Sequence, residues 1–140
     1  NNFLSKILNL LLTKKEVKVV SDQFSCPTST KTLSQICWMI INKEKIIFDL
    51  NSKRIPIMHC SDEGLASWYE VAKTIVEIGM DLGLITDEVN VYPIKTSDYI
   101  KSAKRPSFSL LDCESSFNIL DFKVKNWKDA LYETMTKIVT

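Results

Sequence analysis

Residues 67–73 read Ser67-Trp68-Tyr69-Glu70-Val71-Ala72-Lys73, "SWYEVAK". Ser67 and Glu70 have the three-residue offset of a capping box, so a helix starts at Trp68, and Gly83 is placed to end it in a left-handed conformation. The stretch also sets a tyrosine four residues before a lysine, a spacing that can pair a phenol with an ammonium group for proton donation to a carbonyl. At about 100° per residue the core side of this helix is Trp68, Val71, Ala72, Ile75, Val76 and Gly79. Tyr69 then lies roughly 90° from the centre of that side, and Lys73 lies further round, beside Glu70 and Glu77. A lysine turned to solvent cannot lower a neighbouring phenol's pKa.

Redox use of such a pair also needs a dinucleotide site, built from a glycine-rich turn between a strand and a helix. The chain has three glycines, Gly64, Gly79 and Gly83, and no GxGxxG. Tyr69 and Lys73 are therefore read as a decoy pair, and no catalytic residue is assigned.

Working outward, Phe3, Leu4, Ile7, Leu8, Leu11 and Leu12 recur at helical spacing and predict a helix over residues 3–14. Residues 17–20 read as a short strand. Leu33, Ile36, Cys37, Ile40 and Ile41 mark a second helix with Asn42 as its stop. Strands are expected at 55–59 ("IPIMH"), 89–94 and 108–111, while 45–50 ("KIIFDL") fits a strand or a helical extension equally. The last helix runs over residues 127–139, capped by Asn126, with Trp127, Ala130, Leu131, Met135 and Ile138 as its stripe. Alternating strands and helices place the chain in the α/β or α+β class.

With 140 residues, 45% of them hydrophobic and 25% charged, the chain has the size of one globular domain. Eighteen basic against seventeen acidic residues give a formal charge of +1, so no overall field favours nucleic acid or an anionic membrane. The apolar run at 7–12 is far shorter than the roughly 20 residues that span a bilayer. Four scattered cysteines and one histidine, His59, do not suggest a zinc cage, and reduced thiols in a cytoplasmic protein are expected. The opening "NNFLSKILNLLL" lacks methionine and is helical almost at once, which reads as the interior of a longer polypeptide.

Four ordered segments carry a resemblance: "VKVVSDQFSCPTSTKTL" at 17–33, "SWYEVAKTI" at 67–75, "AKRPSFSLLD" at 103–112 and "NWKDALYETM" at 126–135. Together they resemble the C-terminal, substrate-binding part of the dTDP-4-dehydrorhamnose reductase family, over nearly the whole chain. That family belongs to the extended short-chain dehydrogenases. The resemblance implies an α/β, Rossmann-like fold whose N-terminal cofactor-binding half is absent, leaving residues 1–140 as a single substrate-binding module. It implies NAD(P)H for an intact enzyme, no cofactor held by this chain alone, and a dTDP-sugar as ligand.

Asn2 and Phe3 look like the family segment that touches the diphosphate and nucleotide. Gln23, Phe24, Pro27 and Thr28 look like the loop lining the substrate cleft, and Arg105 like the arginine paired with the diphosphate, a role suited to its planar fork. Without the resemblance, Asn2 is equally a helix cap, Phe24 a core residue and Arg105 a solvated loop residue. Ser25 stands where the family usually has glycine, Thr32 where it usually has an acid, and 41–54 is longer than expected. His59 corresponds to a family residue of the last sheet strand. The implied function is substrate binding for 4-keto sugar reduction in dTDP-rhamnose biosynthesis. The alternatives are a non-catalytic regulator or scaffold, as in the methionine adenosyltransferase regulatory subunit, and a free-standing nucleotide-sugar binder. An unpaired strand edge would favour a homodimer.

Overall fold

The computed structural model of the chain describes residues 2–43, 57–99 and 104–139. Helix α1 (Phe3–Thr13) starts where the Asn2 side chain accepts a hydrogen bond from the Ser5 N–H at 2.9 Å, and it buries Ile7, Leu8 and Leu11. Strand β1 (Glu16–Val20) follows, with Val17, Val19 and Val20 buried while Glu16 and Lys18 face out. Its partner is β4 (Asn90–Ile94), paired in parallel from Glu16↔Asn90 to Val20↔Ile94. Parallel pairing demands a long crossover. Here it holds β2 (Phe24–Ser25), α2 (Thr30–Asn42), β3 (Ala66–Ser67) and α3 (Trp68–Asp81).

The capping box forms at α3: the Ser67 Oγ accepts from the Glu70 N–H at 3.2 Å, and the Glu70 carboxylate accepts from the Ser67 N–H at 2.6 Å. The helix buries Val71, Ala72, Thr74, Ile75, Ile78 and Gly79, and it ends before Gly83, at φ +69°. Past that turn the chain folds back so closely that a Cβ on Gly79 would stand 2.7 Å from Ile85 Cδ1. Two more helices follow, α4 (Glu114–Leu120) and α5 (Trp127–Val139), and α5 adds Trp127, Ala130 and Met135 to the core.

Several expectations need correction. Of the strand expected at 55–59, the first two residues lie outside the described ones, and 57–59 form no strand, with Ile57 86% exposed. A strand exists by pairing, and no described strand runs beside it. His59 is exposed in this irregular stretch. At 108–111 there is a single parallel bridge, Phe108 to Phe24, and Leu110 and Leu111 are exposed. Trp68 and Val76 pack against the core as expected but stay half-buried, Leu33 and Ile41 lie on the expected second helix but are exposed, and Ile138 of the last helix's stripe is exposed. The ambiguous 45–50 lies outside the described residues. α4 was not foreseen, because seven residues that follow Cys113 without a side-chain cap show no period to read.

Candidate functional site

Two helix starts meet at one place. Phe3 opens α1 and Trp68 opens α3, and their rings lie 4.6 Å apart between centroids at 44°. Around Trp68 are three adjoining depressions. One of about 370 Å³ lies between α1 and β1, with Phe3, Trp68 and Arg105 on its wall. A second of about 280 Å³ is bordered by Asn2, Phe3, Pro27, Thr28 and Trp68. The third, about 90 Å³, is bordered by Gln23, Phe24, Trp68 and Arg105. All seven residues named from the sequence thus border a depression that Trp68 also borders. Asn2 and Gln23 share none directly.

The connections behind these residues are mostly polar. Gln23 is 4% exposed, and its Nε2 donates to Thr96 Oγ1 at 2.9 Å. The Thr96 hydroxyl in turn donates to Asp22 Oδ1 at 2.6 Å, and the Thr96 N–H donates to the same carboxylate at 3.0 Å. These bonds hold the Asp22 carboxyl below its ordinary 3.8. They tie the loop after β1 to the turn after β4, so Gln23, which borders the smallest depression, also joins two parts of the fold.

Phe24 is 37% exposed and is no core residue. Its backbone N–H donates to Ser107 O at 2.8 Å and its carbonyl accepts from the Ser109 N–H at 2.9 Å, which fixes the segment just after Arg105. Thr28 Oγ1 donates to Cys26 O at 3.3 Å, and the Ser29 N–H donates to the buried Asp62 carboxylate at 2.7 Å. The Cys26 thiol donates to Asp62 O at 2.9 Å; burial, reinforced by the Asp62 charge, pushes it up to about 11. That thiol is protonated at neutral pH and is no nucleophile.

Tyr69 is half-buried against the core and Lys73 is exposed. Trp68, which borders all three depressions, was not singled out from the sequence. Its period put it on the core side, and a period cannot separate a ring that fills the core from one that walls a cleft. Lys6 and Lys18, which border the largest of the three depressions, were not singled out either: Lys6 lies outside the four motifs, and Lys18 is one surface lysine within the first of them.

A dinucleotide does not fit the described residues. Gly79 and Gly83 lie within and after α3, and Gly64 packs on Trp127, so none stands in a strand-to-helix turn. At the N-terminus of α3, where a pyrophosphate would be favoured, the Glu70 carboxylate already accepts from the Ser67 N–H. Among the described residues no group of three or more His, Cys, Asp or Glu could hold a metal ion, and no helix is long and apolar enough to cross a membrane.

The pattern of the family described as the RmlD substrate binding domain matches residues 1–140. The spore coat polysaccharide biosynthesis protein SpsK of Bacillus subtilis (strain 168) is 32% identical over 133 residues, 95% of this chain and 41% of that protein. The dTDP-4-dehydrorhamnose reductase of Sinorhizobium fredii is 29% identical over 129 residues, covering 92% and 42%. Among solved structures, a dTDP-4-dehydrorhamnose reductase from Clostridium acetobutylicum superposes with TM-score 0.79 at 30% identity, over 100% of this chain and 45% of its own. The reductase from Bacillus anthracis in complex with NADP gives 0.76 at 26%, over 98% and 43%. The chain therefore spans less than half the length of these relatives, and its α/β fold is that of one part of them. With the resemblance drawn from the four motifs borne out in this way, the chain belongs to the RmlD substrate binding domain family.

Proposed function

We propose that this chain is the sugar-nucleotide-holding part of an NAD(P)H-dependent reductase that acts on a dTDP-4-keto sugar. On this reading the 140 residues are one substrate-binding module, and the redox step belongs to the longer protein. No step through a nicotinamide is assigned to the described residues, because they offer it no cradle. One observation carries the reading: Asn2, Phe3, Gln23, Phe24, Pro27, Thr28 and Arg105 all border depressions that adjoin Trp68. An exposed guanidinium suits a diphosphate, and aromatic faces beside it suit a base or a sugar ring. The family match supports the same substrate class. A regulatory role like that of the methionine adenosyltransferase subunit has no observation in its favour. A cytoplasmic setting and self-association belong to the same reading, and sedimentation would test the latter.

Calorimetric titration with dTDP-rhamnose tests the reading. Saturable binding that weakens about tenfold or more in Arg105→Ala is expected, as for loss of a charge-assisted contact. Binding indifferent to Arg105, or no binding, would remove it.

A further inference from the structure

The 370 Å³ cavity between α1 and β1 joins three kinds of surface. Its floor includes the buried Ile7 and Val19, and its wall carries Phe3, Trp68 and Tyr99. Three cations border it, each from a different part of the chain: Lys6 on α1, Lys18 on β1, and Arg105. Among the described residues, no carboxylate lines it. The ion pairs among the described residues are Lys31–Glu133 and Lys125–Glu133, so none of these three cations is neutralised by a neighbour there. In a chain of formal charge +1, three cations without an acid around one cavity is a local concentration of charge. On β1, Lys18 is the exposed residue between the buried Val17 and Val19, and all three border the cavity.

A ligand that uses all three surfaces has a flat, weakly polar body and at least two negative charges. Inorganic phosphate would leave the rings and the floor unused, and a neutral sugar would leave the cations unused. A nucleoside diphosphate fits both. We infer that Lys6 and Lys18 join Arg105 in holding the phosphates of a nucleoside diphosphate whose base lies against Phe3 and Trp68. The inference rests on the reading proposed above and adds a direction to it. The nucleotide end occupies the α1–β1 side, and the glycosyl end points towards Gln23, Pro27 and Thr28.

Calorimetric titration of the 140-residue chain with dTDP and separately with thymidine tests this, using Lys6→Gln, Lys18→Gln, their double variant, Arg105→Gln and Lys73→Gln. Each lysine variant should bind dTDP about 5-fold more weakly and the double about 25-fold, with the loss shrinking as salt rises. Thymidine affinity should stay within about 2-fold, since it carries no phosphate charge, and Lys73→Gln should match the unaltered chain. If the double variant binds dTDP normally while Arg105→Gln does not, the lysine assignment is overturned and the site stands. Equal weakening of thymidine would also overturn it, as a packing effect. Failure of the unaltered chain to bind dTDP would overturn both readings.

Discussion

Helices α2 and α3 are nearly the same length, 13 and 14 residues, and each carries an apolar stripe at helical spacing. Their fates differ. α3 buries six residues, with Ala72 and Ile75 at 0% exposure, and packs against α1, β1, β3, β4 and α5. α2 buries two, Thr32 and Ile36, and leaves Leu33, Trp38 and Ile41 exposed. Apart from Ile36, the contacts that hold α2 are polar and lie at its edges. Ser29 caps it, the Asp62 carboxylate accepts from the Ser29 N–H, the Lys43 Nζ donates to Leu120 O at 2.6 Å, and Lys31 pairs with Glu133 at 3.2 Å. An amphipathic pattern therefore specifies a helix without specifying how deeply it packs. The candidate site lies on the deep side for this reason: Trp68 is the first residue of the helix with the most burial, so its backbone is held by the core.

The contrast can be broken first at the core. Met135→Ala or Ile75→Ala should cost about 2–5 kcal/mol by denaturant unfolding, because each side chain is wholly enclosed. If either cost no more than Ile41→Ala on α2, the division into a deep and a shallow region would be wrong.

Glycine replacements sharpen it next. Gly64 has φ +111°, and a Cβ there would stand 2.7 Å from Trp127 Cδ1; Gly83 has φ +69° and nothing within 4 Å. Gly64→Ala should cost more than the roughly 1–2 kcal/mol that left-handed strain alone costs at Gly83→Ala. Equal losses would mean that the contact with Trp127 contributes nothing.

The two N-caps give a finer comparison. Ser67→Ala and Ser29→Ala should each cost about 1 kcal/mol locally. In hydrogen exchange, Ser67→Ala should speed the slowest amides of the whole core, whereas Ser29→Ala should speed α2 alone. Uniform acceleration in both would contradict the shallow placement of α2.

A smaller effect concerns pH. Hydrogen bonds from the Ser67 N–H and hydroxyl hold the Glu70 carboxyl below its ordinary 4.5. The folded state thus favours the charged form, so the stabilisation is full above 4.5 and is lost as pH falls through the lower folded value. Glu70→Gln should narrow its stability gap from the unaltered chain over that acid window, and a constant gap would argue against the capping role. Last, Trp38→Ser on exposed α2 should change stability by no more than about 0.5 kcal/mol.

How much could be read from the chain follows the same division. The helices beginning at Phe3, Trp68 and Trp127 were legible because caps and periodicity agreed at each. The residues at 57–59 look like a strand by composition, but strand formation depends on a partner that local sequence does not reveal. Phe24, Pro27 and Arg105, singled out from the motifs, border the depressions of the candidate site, whereas Trp68, Lys6 and Lys18 border them without having been singled out. Those three border the cleft only because α1, β1 and α3 come together in the fold. The bond that ties Gln23 into the fold is made to Thr96, 73 positions away, which no local pattern reveals.

The account stands on Trp68 marking the place where ligand binds. The three indole N–H signals of Trp38, Trp68 and Trp127 can be followed by NMR as dTDP-rhamnose is added, with single Trp→Phe variants giving the assignments. The Trp68 signal should move saturably while that of Trp38, out on α2, stays still. Movement at Trp38 with Trp68 unchanged would contradict the account.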